Sequence, residues 1–256
     1  MNERKATECC VFSCAKGLFL GVGCDLRALS QMGGKRFDRL PPQAHYSVFF
    51  ARCRDDRDRP VRRGTMAGCL QDGKDVPMGF DALIVIDMQE ALVGRRPYGA
   101  DGTVGAIARL VGACRESGVP VLHVRHDGGP GDELEAGTDG WRICAPLAPQ
   151  EGEPVFDKHF NSAFRWTGLQ AHLEQRGLRR LLMCGMQTEF CFDASVKVAF
   201  ELGFDVTVPR GAVTTFDCAF APGDELTAYF MDCIWDGRYA RVIPLEEALG
   251  AIRRGA

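Results

Sequence analysis

The stretch "CGMQTEFCFDASVKVAF", residues 184–200, decides how this chain folds. It closes the apolar run "LRRLLMCGM" (178–186), crosses a short polar turn, and continues with helical spacing as "FCFDASVKVAFELG" (190–203). A continuous apolar run reads as a strand buried on both faces, and its passage into a helix makes it half of a βα unit in a parallel sheet.

The same change of period recurs on either side. "DALIVIDM" (81–88) is followed by "TVGAIARLVGACRESG" (103–118), a helical pattern stopped by Gly118. "VPVLHVRH" (119–126), "EPVFDKHF" (153–160), "DVTVPR" (205–210) and "ARVIPL" (240–245) read as further strands. Helices are expected at "TGLQAHLEQRG" (167–177), where Thr167 and Gln170 form a capping box, and at "GDELTAYFMDCIW" (223–235). The expected fold is therefore α/β: a three-layer α/β/α, Rossmann-like parallel sheet of about six strands, with ligand chemistry beyond the carboxyl ends of the strands.

This domain is expected over residues 78–256, and a different character precedes it. Residues 1–77 carry 14 Lys and Arg against 9 Asp and Glu, a net of +5, whereas residues 78–256 carry 17 against 25, a net of −8. The leader shows no sustained period of 2 or 3.6 and is expected to be mostly unordered, a solvated tail or a segment outside the natural product, Met78 being a second possible start. Its arginines in "RCRDDRDRPVRR" are interleaved with Asp55, Asp56 and Asp58 and lack stacking aromatics, which argues against nucleic acid as a partner. No run of eighteen apolar residues exists, Lys16 interrupting the longest candidate, so no membrane partner is expected. With "GLFLGVG" short for a secretion signal, the protein reads as cytoplasmic.

Twelve cysteines divide six and six at residue 77, with no C-x-x-C pair and no regular spacing, so neither a disulfide framework nor a zinc module is indicated. Cys184 and Cys191 are candidates for a redox pair, or for a buried strand residue and a nucleophile respectively. The nucleophile reading places Thr188 as an N-cap and Cys191 in the first helical turn, where free backbone N–H groups and the helix dipole lower a thiol pKa toward neutrality.

Three reactive residues follow strand ends: Asp87 after the first strand, Lys158 after the third and Cys191 after the fourth. Taken singly, each has a plain reading as a turn residue, a solvated charge or a small core residue. Together at one sheet edge they supply a base, a charge and a nucleophile.

The segments "DALIVIDMQ", "FDKHFNSAF" and "CGMQTEFCFDASVKVAFELGFDVTVPRGAVTTFD" resemble the isochorismatase-like cysteine hydrolases, which include nicotinamidases and N-carbamoylsarcosine amidases. The resemblance covers nearly all of residues 80–250. It implies Asp87 as base, Lys158 beside it and Cys191 as the thiol that attacks a carbonyl. It also implies a cis peptide between Met186 and Gln187, and an oxyanion hole built from the Gln187 and Cys191 N–H groups. The expected activity is hydrolysis of a C–N bond in a small amide, carbamoyl or ureido compound through a Cys191 thioester. Vinyl-ether hydrolysis of the isochorismatase type, or ligand binding without turnover, are the alternatives.

Nicotinamidases resembling this chain hold a metal with a D-x-H arrangement between the first helix and the second strand end, where this sequence has none, and His123 and His126 stand three apart on a strand and so face opposite ways. No metal and no cofactor is expected. His126, Trp141, Phe160 and Phe164 are the candidate substrate contacts, with Trp166 a further wall candidate, and Phe160, Phe164 and Trp166 are each equally core candidates. Trp141 lies in the long glycine-rich loop "DGGPGDELEAGTDGWRICAPL" (127–147). The expected partners are a small amide-type substrate and further copies of the chain in a homo-oligomer.

Overall fold

A computed structural model describes residues 11–14, 17–20 and 79–255. In the leader, β1 (Val11–Cys14) and β2 (Gly17–Leu20) pair antiparallel, a hairpin the sequence pattern does not announce. The expectation of an unordered segment otherwise falls outside the described residues. The hairpin belongs to one unit, Met1–Arg63, and everything below belongs to the other, Gly64–Ala256.

The second unit is built on a seven-stranded sheet in the order β5-β4-β3-β6-β7-β9, with β8 beside β6. Its strands are β3 (Ala82–Ile86), β4 (Val121–His126), β5 (Val155–Lys158), β6 (Arg180–Met186), β7 (Asp205–Pro209), β8 (Val213–Thr214) and β9 (Arg241–Ile243). Every pairing is parallel. The expected six strands are present, and the seventh is the two-residue β8, too short to leave a period in the sequence.

Strand β3 is buried along its whole length, because apolar layers cover both of its faces. Leu83 and Val85 pack with the helices α2 (Ala100–Glu116) and α6 (Leu245–Arg254) on one side of the sheet. Ile84 and Ile86 pack on the other with α3 (Leu169–Gln175), α4 (Asp193–Glu201) and the π-helical segment Phe230–Trp235 that continues α5 (Gly223–Tyr229). A short α1 (Glu90–Gly94) follows β3. No helix among the described residues is long and apolar enough to cross a membrane.

Chain order explains where the site forms. From β3 the chain moves outward through β4 to β5, then returns to the other side of β3 as β6 and moves outward again. The connections after β3 and β6 thus depart in opposite directions, leaving a crevice between their carboxyl ends.

Two expected caps are replaced. Thr167 does not cap α3: Gly168, in left-handed conformation at φ 81°, precedes the helix. Thr167 Oγ1 accepts from the Leu169 N–H at 3.2 Å and donates to the Ala163 carbonyl at 2.7 Å, while Gln170 turns to Glu174. Thr188 does not cap the segment after β6 either. It lies inside a π-helical turn, Thr188–Phe192, in which the Phe192 N–H reaches back to the Gln187 carbonyl, and its hydroxyl is buried against that of Thr227 at 3.1 Å.

At Gly185 the sheet demands a missing side chain. Its φ is 130°, and a Cβ built there would lie 2.1 Å from the Ile86 carbonyl oxygen and 2.8 Å from its nitrogen. Gly185→Ala should therefore push β6 from β3 near their carboxyl ends and destabilise the domain by about 3 kcal/mol or more, measured by denaturant unfolding.

Candidate active site

Asp87 terminates β3 with a positive φ of 54°, a conformation that aspartate tolerates better than most residues. Its N–H is held by the Val124 carbonyl of β4 at 2.8 Å. The carboxylate is thereby turned into the crevice, where it is 1% exposed.

Lys158 comes from two strands away. It ends β5 in register with His126 of β4, and strands two apart are separated by about 10 Å. Its four-carbon stem crosses the end of β4, and the ammonium, whose side chain is 0% exposed, meets Asp87 Oδ2 at 2.8 Å. The same nitrogen donates to Cys191 Sγ at 3.1 Å and lies 3.2 Å from His126 Nδ1. Asp87 Oδ1 is buried and has no hydrogen-bond partner among the described residues.

Cys191 is placed by the π-helical turn after β6. Its carbonyl accepts from Ser195 Oγ at 2.6 Å, and that oxygen in turn accepts from the Ala163 N–H at 2.9 Å. One serine therefore ties the turn that carries Cys191 to the loop that follows Lys158. Cys184, by contrast, packs in the core on the α2 side of the sheet, opposite the layer that Cys191 adjoins. All six cysteines among residues 79–255 are free.

The helix-start argument for an acidic Cys191 is overturned. Burial, followed by the charge of Asp87, pushes the thiol up to about 12, and Lys158 only partly offsets this. Burial likewise raises the Asp87 carboxyl against the lowering pull of Lys158. A helix terminus acts weakly beside a full charge in a site shielded from water. Burial thus favours the uncharged forms of both the thiol and the carboxyl, and the Lys158 charge opposes it at each.

The remaining candidates separate. His126 is half-buried and touches Lys158, whereas His123 faces the other side of the sheet against Glu153 at 3.3 Å. No cluster of three or more metal-ligating side chains exists among the described residues. Phe164 is a core residue, 7% exposed and stacked on Phe204. Phe160 meets Trp166 edge to face and lies under the Arg165 guanidinium, at the loop after Lys158. The Trp141 ring is covered by Arg125 at 3.3 Å. A groove of about 500 Å³ lined by Tyr98, Thr103, Arg210 and Thr227 includes none of Asp87, Lys158 or Cys191.

Two residues near the chemistry escape a sequence reading. Gln89, 0% exposed, accepts from the His126 N–H at 2.7 Å and donates to the His126 and Trp141 carbonyls at 2.8 and 3.0 Å. It thus fastens the end of β4 and the long loop to β3, but its partners are 37 and 52 residues distant. Asn161 Oδ1 stands 3.9 Å from Cys191 Sγ, and its place three residues after Lys158 is its one signal.

The isochorismatase domain model matches residues 81–225, more than half of the chain. This chain belongs to the isochorismatase family. A structure of an isochorismatase-family hydrolase from Chromobacterium violaceum superposes with a TM-score of 0.63 at 31% identity, covering 70% of this chain and 99% of that one. Streptothricin hydrolase of Streptomyces noursei is 37% identical over 147 residues, 55% of this chain, and the match spans only 52% of that protein's length. Ureidoacrylate amidohydrolase RutB of Variovorax paradoxus is 29% identical over 161 residues, 48% of this chain and 64% of the relative. In line with the family resemblance, the Met186–Gln187 peptide is cis.

The ionisation of this family member's thiol is directly testable. Iodoacetamide alkylation at Cys191, followed by peptide mass spectrometry, should accelerate from pH 7 to about pH 10 without a plateau.

Proposed function

We propose that this chain is a metal-independent cysteine amidohydrolase that cleaves a C–N bond of a small amide, carbamoyl or ureido compound through a Cys191 thioester. One observation carries the reading: a fully buried ammonium, Lys158, bridges the Asp87 carboxylate and the Cys191 sulfur at 2.8 and 3.1 Å. A buried ion pair holding a thiol at a crevice has a ready use in nucleophilic catalysis. The names of two relatives, a hydrolase of streptothricin and an amidohydrolase of ureidoacrylate, agree with that use.

In the proposed reaction the thiol proton passes to Asp87, whose Oδ1 has no competing partner among the described residues. Burial raises its pKa, which makes the carboxylate a stronger base toward the thiol than an ordinary one. Sγ forms a bond to the substrate carbonyl carbon as that proton leaves. The carbonyl oxygen becomes an oxyanion, and the N–H groups of Gln187 and Cys191 are its proposed donors. No described carbonyl accepts from the Gln187 N–H, so that donor is available.

When the tetrahedral species collapses, Asp87 returns the proton to the departing nitrogen and ammonia or an amine leaves. Water then adds to the thioester as Asp87 takes its proton, and the thiol is regenerated when the acid is released. Lys158 keeps its positive charge throughout, favouring thiolate over thiol during each transfer.

A screen of small amides, carbamoyl and ureido compounds for ammonia release tests the proposal. Cys191→Ala should lower release by at least about a thousandfold, and acid quenching of the wild-type reaction should leave an acyl mass on the Cys191 peptide. Equal release by the variant refutes the nucleophile. Turnover should survive chelators, and a loss restored by added metal refutes metal independence.

A further inference from the structure

We propose that His126 is the positioning residue for Lys158: its uncharged ring accepts the ammonium's third proton and holds that nitrogen between Asp87 and Cys191. An ammonium has three N–H donors and no lone pair. Two of the Lys158 donors are taken by Asp87 Oδ2 at 2.8 Å and Cys191 Sγ at 3.1 Å. The third lies 3.2 Å from His126 Nδ1, which must then be the accepting nitrogen, so the ring carries its proton on Nε2.

The support behind the ring is as definite as the contact. Both backbone groups of His126 are held by the side chain of buried Gln89, at 2.7 and 2.8 Å, so the ring is mounted on β3 as well as β4. This answers a geometric problem posed by β5. Lys158 reaches its partners along a flexible four-carbon stem from two strands away, and a long stem with one missing contact would occupy several rotamers. His126 supplies a fixed stop at the point where the stem crosses β4.

The arrangement requires the ring to stay neutral. The charged or titratable groups acting on it are Lys158 on β5, Asp87 at the end of β3, Asp127 and Asp132 in the following loop, and His159 beyond β5. Burial, followed by the Lys158 charge, holds the ring below its ordinary pKa, in agreement with the geometry. Protonation at Nδ1 would set a second positive charge 3.2 Å from the ammonium and abolish the contact.

The inference deepens the proposed catalytic use of Lys158, but its test reads the thiol and needs no substrate. Iodoacetamide alkylation of Cys191 is compared at one pH in the full-length wild type, His126→Gln and His126→Leu. Glutamine offers an uncharged acceptor oxygen and should stay within about threefold of wild type, whereas leucine leaves the ammonium unheld and should slow alkylation by about tenfold or more. A leucine variant that alkylates at the wild-type rate, or a glutamine variant as slow as leucine, overturns the proposal. Should the leucine variant not fold, nitrogen NMR of wild-type protein labelled at histidine decides. The His126 signal, identified by its loss in His126→Gln, should show a bare, hydrogen-bonded Nδ1 at pH 7.5, and a protonated Nδ1 overturns the assignment.

Discussion

The buried ammonium of Lys158 is the constraint on which the rest of the site depends. Removing an ion from water costs several kcal/mol even after a protein relaxes around it, so this charge is tenable only with its partners in place. Those partners come from three separate places in the chain: the ends of β3 and β4 and the turn after β6. The order β5-β4-β3-β6 brings them to one crevice, and Gln89, Ser195 and the close approach at Gly185 hold the strand ends together there.

The same burial sets the chemistry of the thiol. In an open helix terminus, backbone dipoles would favour a thiolate. Here the sulfur is half-buried beside a carboxylate, and burial with the Asp87 charge raises the thiol pKa against the partial offset of the ammonium. Reactivity under the proposed mechanism then comes from a short transfer between sulfur and carboxylate rather than from a standing thiolate. The charge total of the three groups does not change during that transfer, which limits the reorganisation asked of a dry site.

Much of the fold was readable because it rests on local period. The apolar run of β3 and the change from strand to helix after β6 are carried by consecutive residues, and those elements appear where expected. Caps were less readable. Thr167 and Thr188 have the right chemistry for N-caps, but each hydroxyl found a better partner, the Ala163 carbonyl in one case and Thr227 in the other. Strand β8 and Gln89 left no local sign, since the first is two residues long and the second acts on distant peptide groups.

The sequence by itself determined the parallel α/β architecture and set Asp87, Lys158 and Cys191, the candidate reactive groups, at its strand ends. Side-chain type and hydrophobic period are properties of neighbouring residues, so they survive without a structure. Tertiary structure alone decided that His126 meets Lys158 while His123 turns away, that Phe164 belongs to the core, and that burial raises the Cys191 thiol pKa. Those outcomes depend on distance between remote groups and on exclusion of water, and neither quantity exists until the strands are assembled.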